Sequence, residues 1–332
     1  MNPVIQRFEA LLLRSWRSPT VLTWLLMPLC VVYFLAYRLS RGLYSIGLKQ
    51  THRADVPIVV VGNLTVGGAG KSPCVAALTH ALLAQGLKVG VISRGYQRKD
   101  RRTAEIVNEH SLFWEVGDEP LMLFQQTRVP IAVSASRIEA VKLLLSTTAL
   151  DVIISDDGLQ HWALKPQFTV CIDDQSVQQG NCLLLPAGPY REPRSRLSTM
   201  DYVLTHVAVE ERNTADNTFY LEALKPKPID QSRTEFPSGP FNLVAGIAKP
   251  DRFFKTANDL GLQGVEHRFS DHHVFSDQDF EFDNDYPVLM TEKDAVKCGS
   301  IQRSDLWYLP VTTRLPSELV QAIVDRCGLT GT

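Results

Sequence analysis

A glycine-rich turn that ends in a lysine and a serine offers this chain a place to hold a phosphate group. The turn consists of Gly67, Gly68, Ala69, Gly70, Lys71 and Ser72. Glycines let backbone N–H groups point at phosphate oxygens, the lysine can reach the β- and γ-phosphates of a nucleotide, and the serine hydroxyl can ligate Mg²⁺. The full phosphate-loop pattern has a glycine where this chain has Thr65, and glycine-rich turns also occur without a ligand. An apolar run before the turn and a helical pattern after it favour nucleotide binding, because a helix N-terminus attracts anions.

Two pairs of carboxylates offer the metal ligands or the base that phosphate chemistry uses. Asp156 and Asp157 follow an apolar run, as the Mg²⁺-binding carboxylate of phosphate-loop enzymes does. Asp118 and Glu119 precede a predicted helix, where acidic side chains also stabilise the helix N-terminus. A capping role therefore stays open for one member of each pair.

Histidines near carboxylates are the candidates for proton transfer. Asp271 is followed directly by His272 and His273, and a carboxylate beside an imidazole orients the ring and raises its basicity. The same three residues could instead bind a metal, although no further ligand stands at a suitable spacing. His161, five residues after Asp156, either faces the same cleft or is a structural side chain.

A proline-rich segment carries three arginines, Arg191, Arg194 and Arg196. Guanidinium groups bind phosphates and carboxylates through paired hydrogen bonds, so these residues could clamp an anionic substrate or a nucleotide. A solvated basic loop is the alternative. The sequence does not separate the two.

Strand and helix patterns predict how these groups are positioned. Apolar runs at 151–155, 168–172 and 202–205, with a helical pattern at 136–147, predict a mainly parallel sheet with helices on both faces. Ligands of such sheets lie at the carboxyl ends of the strands. A polar stretch at 207–240 looks like a connection between domains.

A second, smaller α/β unit is predicted beyond that connection. Its expected strands are 242–245, 288–290 and 306–309, and its expected helices lie near 250–260, from 291 onward and at 316–327. The chain then divides into a membrane-associated segment (1–50), a phosphate-loop domain (51–215), a connection (216–240) and a C-terminal domain (241–332).

The N-terminal segment contains an uncharged run, 18–37, between pairs of arginines. Twenty such residues are long enough to reach across a bilayer. A signal peptide and a buried soluble helix are alternatives, and Pro28 is expected to kink or break a continuous helix. Flanking arginines and aromatic residues favour membrane association, with either a spanning segment or insertion into one leaflet.

Composition restricts the remaining possibilities. The net charge of −2 provides no basic surface for nucleic acid, and no protein partner is evident. Six cysteines lack Cys-x-x-Cys pairing or nearby histidine ligands, which indicates free thiols in a reducing cytoplasm.

Eight short motifs follow one another along the chain. They are GGAGKSP (67–73), SRGY (93–96), GDEP (117–120), SASR (134–137), DDGLQH (156–161), LPAGPYREPRSRL (185–197), DHH (271–273) and MTEKDAVKC (290–298). In this order they resemble the tetraacyldisaccharide 4′-kinase family of lipid A synthesis, from about Val56 to Cys298.

The resemblance implies a two-domain, phosphate-loop NTPase-like protein whose C-terminal domain closes on the nucleotide. Its implied reaction is ATP- and Mg²⁺-dependent phosphorylation of the 4′-hydroxyl of tetraacyldisaccharide 1-phosphate, which yields the 1,4′-bisphosphate and ADP. The implied location is the inner membrane, with the catalytic domain facing the cytoplasm. A membrane-tethered ATPase that acts as a switch is the alternative, although such proteins often carry a second lysine where this chain has Val66.

The resemblance also assigns roles to individual residues. The implied catalytic residues are Asp118, His272 and Lys71. The implied Mg²⁺ ligands are Ser72, Glu119, Asp156 and Asp157. The implied nucleotide contacts are the glycine-rich turn with Arg137, Gln160, His161, Arg191 and Glu192. Whether His272 or its neighbour His273 is the catalytic histidine stays open.

Overall fold

The computed structural model describes residues 11–178, 180–209, 216–230, 232–233 and 235–329. Its strands are β1 (Ile58–Asn63), β2 (Val89–Ser93), β3 (Glu105–Val107), β4 (Ile131–Val133), β5 (Val152–Asp156), β6 (Phe168–Asp174), β7 (Tyr202–His206), β8 (Thr218–Phe219), β9 (Leu221–Ala223), β10 (Lys227–Pro228), β11 (Phe241–Ala245), β12 (Gly264–Arg268), β13 (Val288–Thr291), β14 (Leu306–Leu309) and β15 (Val311–Thr313). Its helices are α1 (Val21–Ser45), α2 (Lys71–Leu83), α3 (Phe113–Val116), α4 (Asp118–Thr127), α5 (Arg137–Thr147), α6 (Gln175–Gln178), α7 (Pro250–Asp259), α8 (Glu292–Ala295) and α9 (Ser317–Cys327). Residues 11–17 are also helical, and 3₁₀ turns occupy Arg194–Thr199 and Asp277–Phe280.

The larger sheet has eight strands in the order β3-β4-β2-β5-β1-β6-β7-β8. Only its edge strand β3 runs antiparallel to its neighbour. Strand β1 is central and entirely buried, and successive residues face opposite sides of the sheet. Val59 and Val61 pack with α2 and α4, whereas Ile58 and Val60 pack with α1 and α5. The predicted mainly parallel sheet with helices on both faces is confirmed.

The smaller sheet has five strands in the order β10-β14-β13-β11-β12. Phe253, Phe254 and Ala257 of α7 fill one of its faces, and Phe275 and Phe280 fill the other. This sheet corresponds to the predicted C-terminal unit. The domain boundaries themselves stay a proposal.

Two parts of the chain differ from the expected organisation. The stretch expected to be a polar connection contributes β8 to the larger sheet, β9 to a pair with β15, and β10 to the smaller sheet. Helix α9 was expected within the C-terminal unit, but its Leu319, Val320 and Ile323 pack into the core of the larger sheet. The apolar stripe of α9 is buried there beside α2, so packing decides its place.

The N-terminal apolar run forms one helix, α1, and Pro28 lies inside it. Of the expected kink or break, the break is therefore wrong. A proline in a helix loses one backbone hydrogen bond, and the surrounding turns, packed on the larger sheet through Cys30 and Tyr33, are stable enough to absorb that loss. All six cysteines are free, as the sequence predicts.

Candidate active site

The glycine-rich turn connects the carboxyl end of β1 to the N-terminus of α2, as predicted from the sequence. Gly67 and Gly70 have φ angles of 101° and 86°, a region that glycine enters without strain. No atom lies within 4 Å of where a Cβ on Gly67 would stand, so the backbone there is open to a ligand. Pro73 falls in the first turn of α2, where its missing N–H needs no partner.

A short chain of polar contacts holds the lysine of this turn. The ammonium of Lys71 donates to Asn63 Oδ1 at 3.0 Å and lies 3.9 Å from Asp157 Oδ1. Asn63 Nδ2 in turn donates to Thr65 Oγ1 at 3.1 Å. Thr65, which stands where the full pattern has a glycine, therefore orients Asn63. Sequence reasoning missed Asn63, although a buried polar residue at the end of an apolar strand is a recognisable signal.

The acidic pair lies beside the glycine-rich turn. Asp156 ends β5 and pairs in register with Val61 of β1. Burial, with the charges of Glu119 and Asp157, raises the pKa of the Asp156 carboxyl to about 7. Its Oδ1 is buried and has no hydrogen-bond partner. Burial would also raise the pKa of Asp157, but Lys71 and Arg191 outweigh it and hold that pKa well below its usual range.

These carboxylates fit a cation that arrives with a phosphate. The described residues include no cluster of three or more His, Cys, Asp or Glu side chains able to hold a metal alone. Mg²⁺ typically takes one or two carboxylates and completes its shell with waters and substrate phosphates. The buried Asp156 Oδ1, which has no hydrogen-bond partner, is a free ligand position at the end of β5.

Of the three loop arginines, only Arg191 reaches this site. It donates two hydrogen bonds to the Asp157 carboxylate, at 2.9 and 3.0 Å, and bonds Asn63. Arg194 pairs with Asp173 at 3.7 Å, and Arg196 pairs with Glu192 at 3.4 Å. The clamp interpretation therefore stays a prediction for Arg191.

Glu192 lies below the site instead of in an open cleft. Its side chain is 0% exposed and accepts hydrogen bonds from Gln160 Nε2 at 3.0 Å and Tyr37 Oη at 3.3 Å. The adjacent backbone carbonyl of Arg191 accepts from Tyr33 Oη at 2.8 Å. The Glu192 carboxylate thus joins the Arg191 segment to helix α1. The sequence did not predict this link, and a direct contact of Glu192 with nucleotide stays a prediction.

Two further predicted residues shape the acidic strand end. Arg137 is buried, and its guanidinium donates to the backbone carbonyls of Ser134 and Asp156. Burial and the charge of Arg137 lower the pKa of His161 to about 4, so that imidazole is neutral at pH 7. Both stay predictions as nucleotide contacts.

Asp118 and His272 meet, although 154 positions separate them. Asp118 begins α4 beside the larger sheet, and His272 lies in the loop after β12 of the smaller one. Their Oδ2 and Nδ1 atoms are 2.7 Å apart. Burial would raise the pKa of Asp118, but the hydrogen bond to His272 and the charge of Lys293 lower it below its usual range.

His273 faces elsewhere. Its Nε2 lies 3.3 Å from Asp279 Oδ1, and its ring packs against Phe269 and Phe275. The choice between the two histidines, which the sequence left open, is thereby made by geometry in favour of His272 as the partner of Asp118.

A small cavity of about 70 Å³ opens beside the Asp118 and His272 pair. Its other lining residues are Tyr96, Gln97, Phe113, Trp114, Val274 and Lys297. Its aromatic walls and convergent polar groups resemble those of small-molecule sites, but its volume is below the usual range of about 300–1,000 Å³. Tyr96 also packs against His272, with ring centroids 5.1 Å apart and the ring planes tilted by 53°.

Ion pairs tie the two sheets together on the other side of the turn. Asp174, the last residue of β6, is almost fully buried and contacts Lys249 at 2.6 Å and Arg252 at 2.9 Å. Burial and Arg252 lower the pKa of nearby His206 to about 4. Sequence reasoning missed this cluster, because its members are distant in the chain.

Comparison with known proteins gives a consistent result. A family model described as LpxK, tetraacyldisaccharide-1-P 4′-kinase, matches residues 22–328. Tetraacyldisaccharide 4′-kinase of Mannheimia succiniciproducens is 38% identical over 322 residues, 95% of this chain and 98% of that protein. The corresponding Coxiella burnetii protein is 39% identical, covering 92% of this chain and 91% of its own. The crystal structure of LpxK from Aquifex aeolicus, described as an "apo" form in complex with ATP, superposes with a TM-score of 0.78 at 25% identity. It covers 92% of this chain and 99% of that one.

Proposed function

Since this chain belongs to the tetraacyldisaccharide 4′-kinase family, we propose how its residues divide the work of that reaction. The enzyme is a kinase that uses ATP to phosphorylate the 4′-hydroxyl of the lipid disaccharide in lipid A biosynthesis. The observation that carries the proposal is the 2.7 Å contact between His272 and Asp118. A tethered ATPase switch, the alternative, would need no such carboxylate and imidazole pair.

The glycine-rich turn holds the donor. Backbone N–H groups from Gly67 to Gly70 surround the ATP phosphates, and Lys71 neutralises the charge that spreads over the γ-phosphoryl group. Ser72, Glu119, Asp156 and Asp157 are the residues that would hold Mg²⁺, which supplies further charge neutralisation when bound. Arg191, which shares Asn63 Oδ1 and the Asp157 carboxylate with Lys71, is a second cation for the phosphates.

The remaining predicted nucleotide contacts hold the strand ends beside the glycine-rich turn. Arg137 holds the backbone at the end of β5, and Gln160 donates to Asn63 O at 3.2 Å. The Glu192 carboxylate accepts a hydrogen bond from Gln160 Nε2, so it holds the Gln160 side chain against Asn63. His161, neutral and half-buried, borders the same region.

Asp118 activates the acceptor. Its carboxylate takes the proton of the 4′-hydroxyl while that oxygen bonds the γ-phosphorus, and the bond from the γ-phosphorus to the β-phosphate oxygen breaks to release ADP. His272 Nδ1 donates to Asp118 and orients its carboxylate. The cavity beside the pair, of about 70 Å³, has room for the accepting hydroxyl but not for a whole sugar ring. General base catalysis of this kind contributes about 10²–10⁴-fold to the rate.

Helix α1 places the site at the membrane. It is long and apolar enough to cross a bilayer by length and composition, and its outward face is exposed, with Val21, Leu25 and Leu39 each more than 60% accessible. Its other face contacts the protein along its length, from Thr23 to Tyr44, whose ring packs on Trp162. A helix fixed in this way lies in the interface with one face in the lipid. The proposed location is the cytoplasmic face of the inner membrane.

Replacing Leu25 and Leu35 with Gln is expected to lower binding to anionic lipid vesicles by at least about tenfold. These leucines are 70% and 60% exposed on α1, and burying one leucine contributes about 1.5–3 kcal/mol. Co-sedimentation with vesicles measures the effect. Leu260→Gln, which changes a leucine 51% exposed on the smaller unit, is the matched control and should bind as the unchanged protein does. If Leu260→Gln lost as much vesicle binding, the proposal that α1 is the membrane-facing surface would be refuted.

Incubation of the purified enzyme with γ-labelled ATP and tetraacyldisaccharide 1-phosphate in detergent micelles tests the reaction itself. We expect label to enter the lipid in a product that carries phosphates at positions 1 and 4′. Hydrolysis of ATP without any labelled lipid would instead support the ATPase alternative. The same assay with the 4′-deoxy lipid is the control, because it removes the accepting hydroxyl.

A further inference from the structure

Lys293 lies at the centre of the active site but has no role in the reaction as described so far. It is the second residue of α8, and its side chain is 16% exposed. Its ammonium lies 3.0 Å from Glu119 Oε1, 3.3 Å from His272 Nε2 and 3.4 Å from Asp271 Oδ1. It thus contacts both the helix that carries Asp118 and the loop that carries His272.

The ammonium determines which nitrogen of His272 carries the proton. A lysine side chain is an ammonium at neutral pH, and that of Lys293 lies among the carboxylates of Glu119, Asp118 and Asp271. An ammonium has three donors and no acceptor. His272 Nε2 therefore accepts from Lys293, and Nδ1 carries the proton that Asp118 Oδ2 accepts at 2.7 Å.

The segment around Lys293 also holds the His272 backbone. Asp294 Oδ2 accepts from the Gly246 amide at 2.9 Å, and the Gly246 carbonyl accepts from the His272 amide at 3.1 Å. His272 has a φ of 59°, a left-handed conformation that only its surroundings can maintain. Helix α8 thus fixes both the ring and the backbone of this histidine.

We propose that Lys293 is a positioning residue, which holds His272 in its Nδ1-protonated tautomer and turned toward Asp118 by donating to Nε2. This role rests on the proposed function of the Asp118 and His272 pair. In this role Lys293 need contact neither the transferred phosphoryl group nor the hydroxyl. Its effect passes through the imidazole, as that of groups around catalytic histidines commonly does.

A double-mutant cycle tests this role in the lipid kinase assay. In an enzyme that keeps His272, Lys293→Met is expected to lower kcat by about 10–100-fold and to alter KM for ATP by less than about threefold. In a His272→Ala background the same substitution should cost less than about threefold, since the group it acts through is gone. Equal losses in both backgrounds would overturn the proposal.

Tautomer detection by ¹⁵N NMR of the imidazole rings gives a readout that a merely structural lysine would not move. The His272 signal, identified by its loss in His272→Ala, should show Nδ1–H in the unchanged protein and a mixture of tautomers in Lys293→Met. An unchanged tautomer would contradict the proposal. Because this measurement needs no turnover, it judges Lys293 even if His272→Ala proves fully active and the base assignment fails.

Two further variants separate positioning from folding. Lys293→Arg keeps the charge and the donors, so it should recover at least about a tenth of the original kcat. Lys142→Met removes an exposed lysine that pairs with Glu139 at 3.0 Å, and it should leave kcat and the tautomer unchanged. If Lys293→Met does not fold, Lys293→Gln, which keeps a donor in a similar volume, takes its place in both measurements.

Discussion

The Asp118→Asn variant is expected to bind ATP normally while its kcat for lipid phosphorylation falls by about 10²–10⁴-fold. An amide of the same shape can still fill the start of α4, but it cannot take a proton from the 4′-hydroxyl. The carboxylate is 5% exposed, and its contact with His272 keeps it ionised and aimed into the cleft. Steady-state kinetics with labelled ATP, together with equilibrium ATP binding, measure the two halves of this expectation.

The chain supplies a matched control for this variant. Asp279 lies 3.3 Å from His273, so these two residues form a second contact between a carboxylate and an imidazole. This second contact faces the aromatic core of the smaller unit and not the cleft. Asp279→Asn should change kcat by no more than a few-fold. Near-normal turnover in Asp118→Asn would show that the base has been assigned to the wrong residue.

The second large effect is expected from Lys71→Met, which should lower kcat by about 10²–10³-fold. Its ammonium lies 3.0 Å from Asn63 Oδ1 at the mouth of the glycine-rich turn, and charge develops on the γ-phosphoryl oxygens as the phosphoryl group is transferred. Methionine keeps the length of the side chain without the charge. Single-turnover assays at saturating ATP separate this loss from any weakening of ATP binding.

Lys88→Met is the control for Lys71→Met, because Lys88 is an exposed lysine just before β2 in the same sheet. Its kcat should match that of the unchanged enzyme. A loss of less than about threefold in Lys71→Met would mean that the γ-phosphate does not lie at this turn. Thermal unfolding of each variant checks that the fold is retained.

Local patterns were sufficient to predict most of the fold. Apolar runs such as the one ending at Asp156 form buried strands because each residue of a central parallel strand is covered on both faces. The glycine-rich turn was predictable for the same reason, since its chemistry depends on adjacent residues. Helix α1 was predictable as a helix, but its Pro28 showed that packing can override a local helix breaker.

Contacts between distant segments were not predictable in the same way. Nothing in the sequence around α9 indicates that its apolar stripe returns to the larger sheet, or that Glu192 is buried beneath α1. Amphipathic patterns show that a face must be buried, but they do not say against what. Asn63 and Lys293 escaped notice for a related reason, because each is significant only through the groups it contacts in the fold.

The sequence by itself determined the residue types of the site, the strand, turn and helix that we propose hold phosphate, and two candidate histidines side by side. Only the tertiary structure decided between His272 and His273, because the choice depends on which ring reaches Asp118 across 154 positions. Residue spacing determines local geometry, since bonded neighbours leave few conformations. A contact between two sheets instead depends on how their cores and ion pairs pack, and that is a property of the folded chain as a whole.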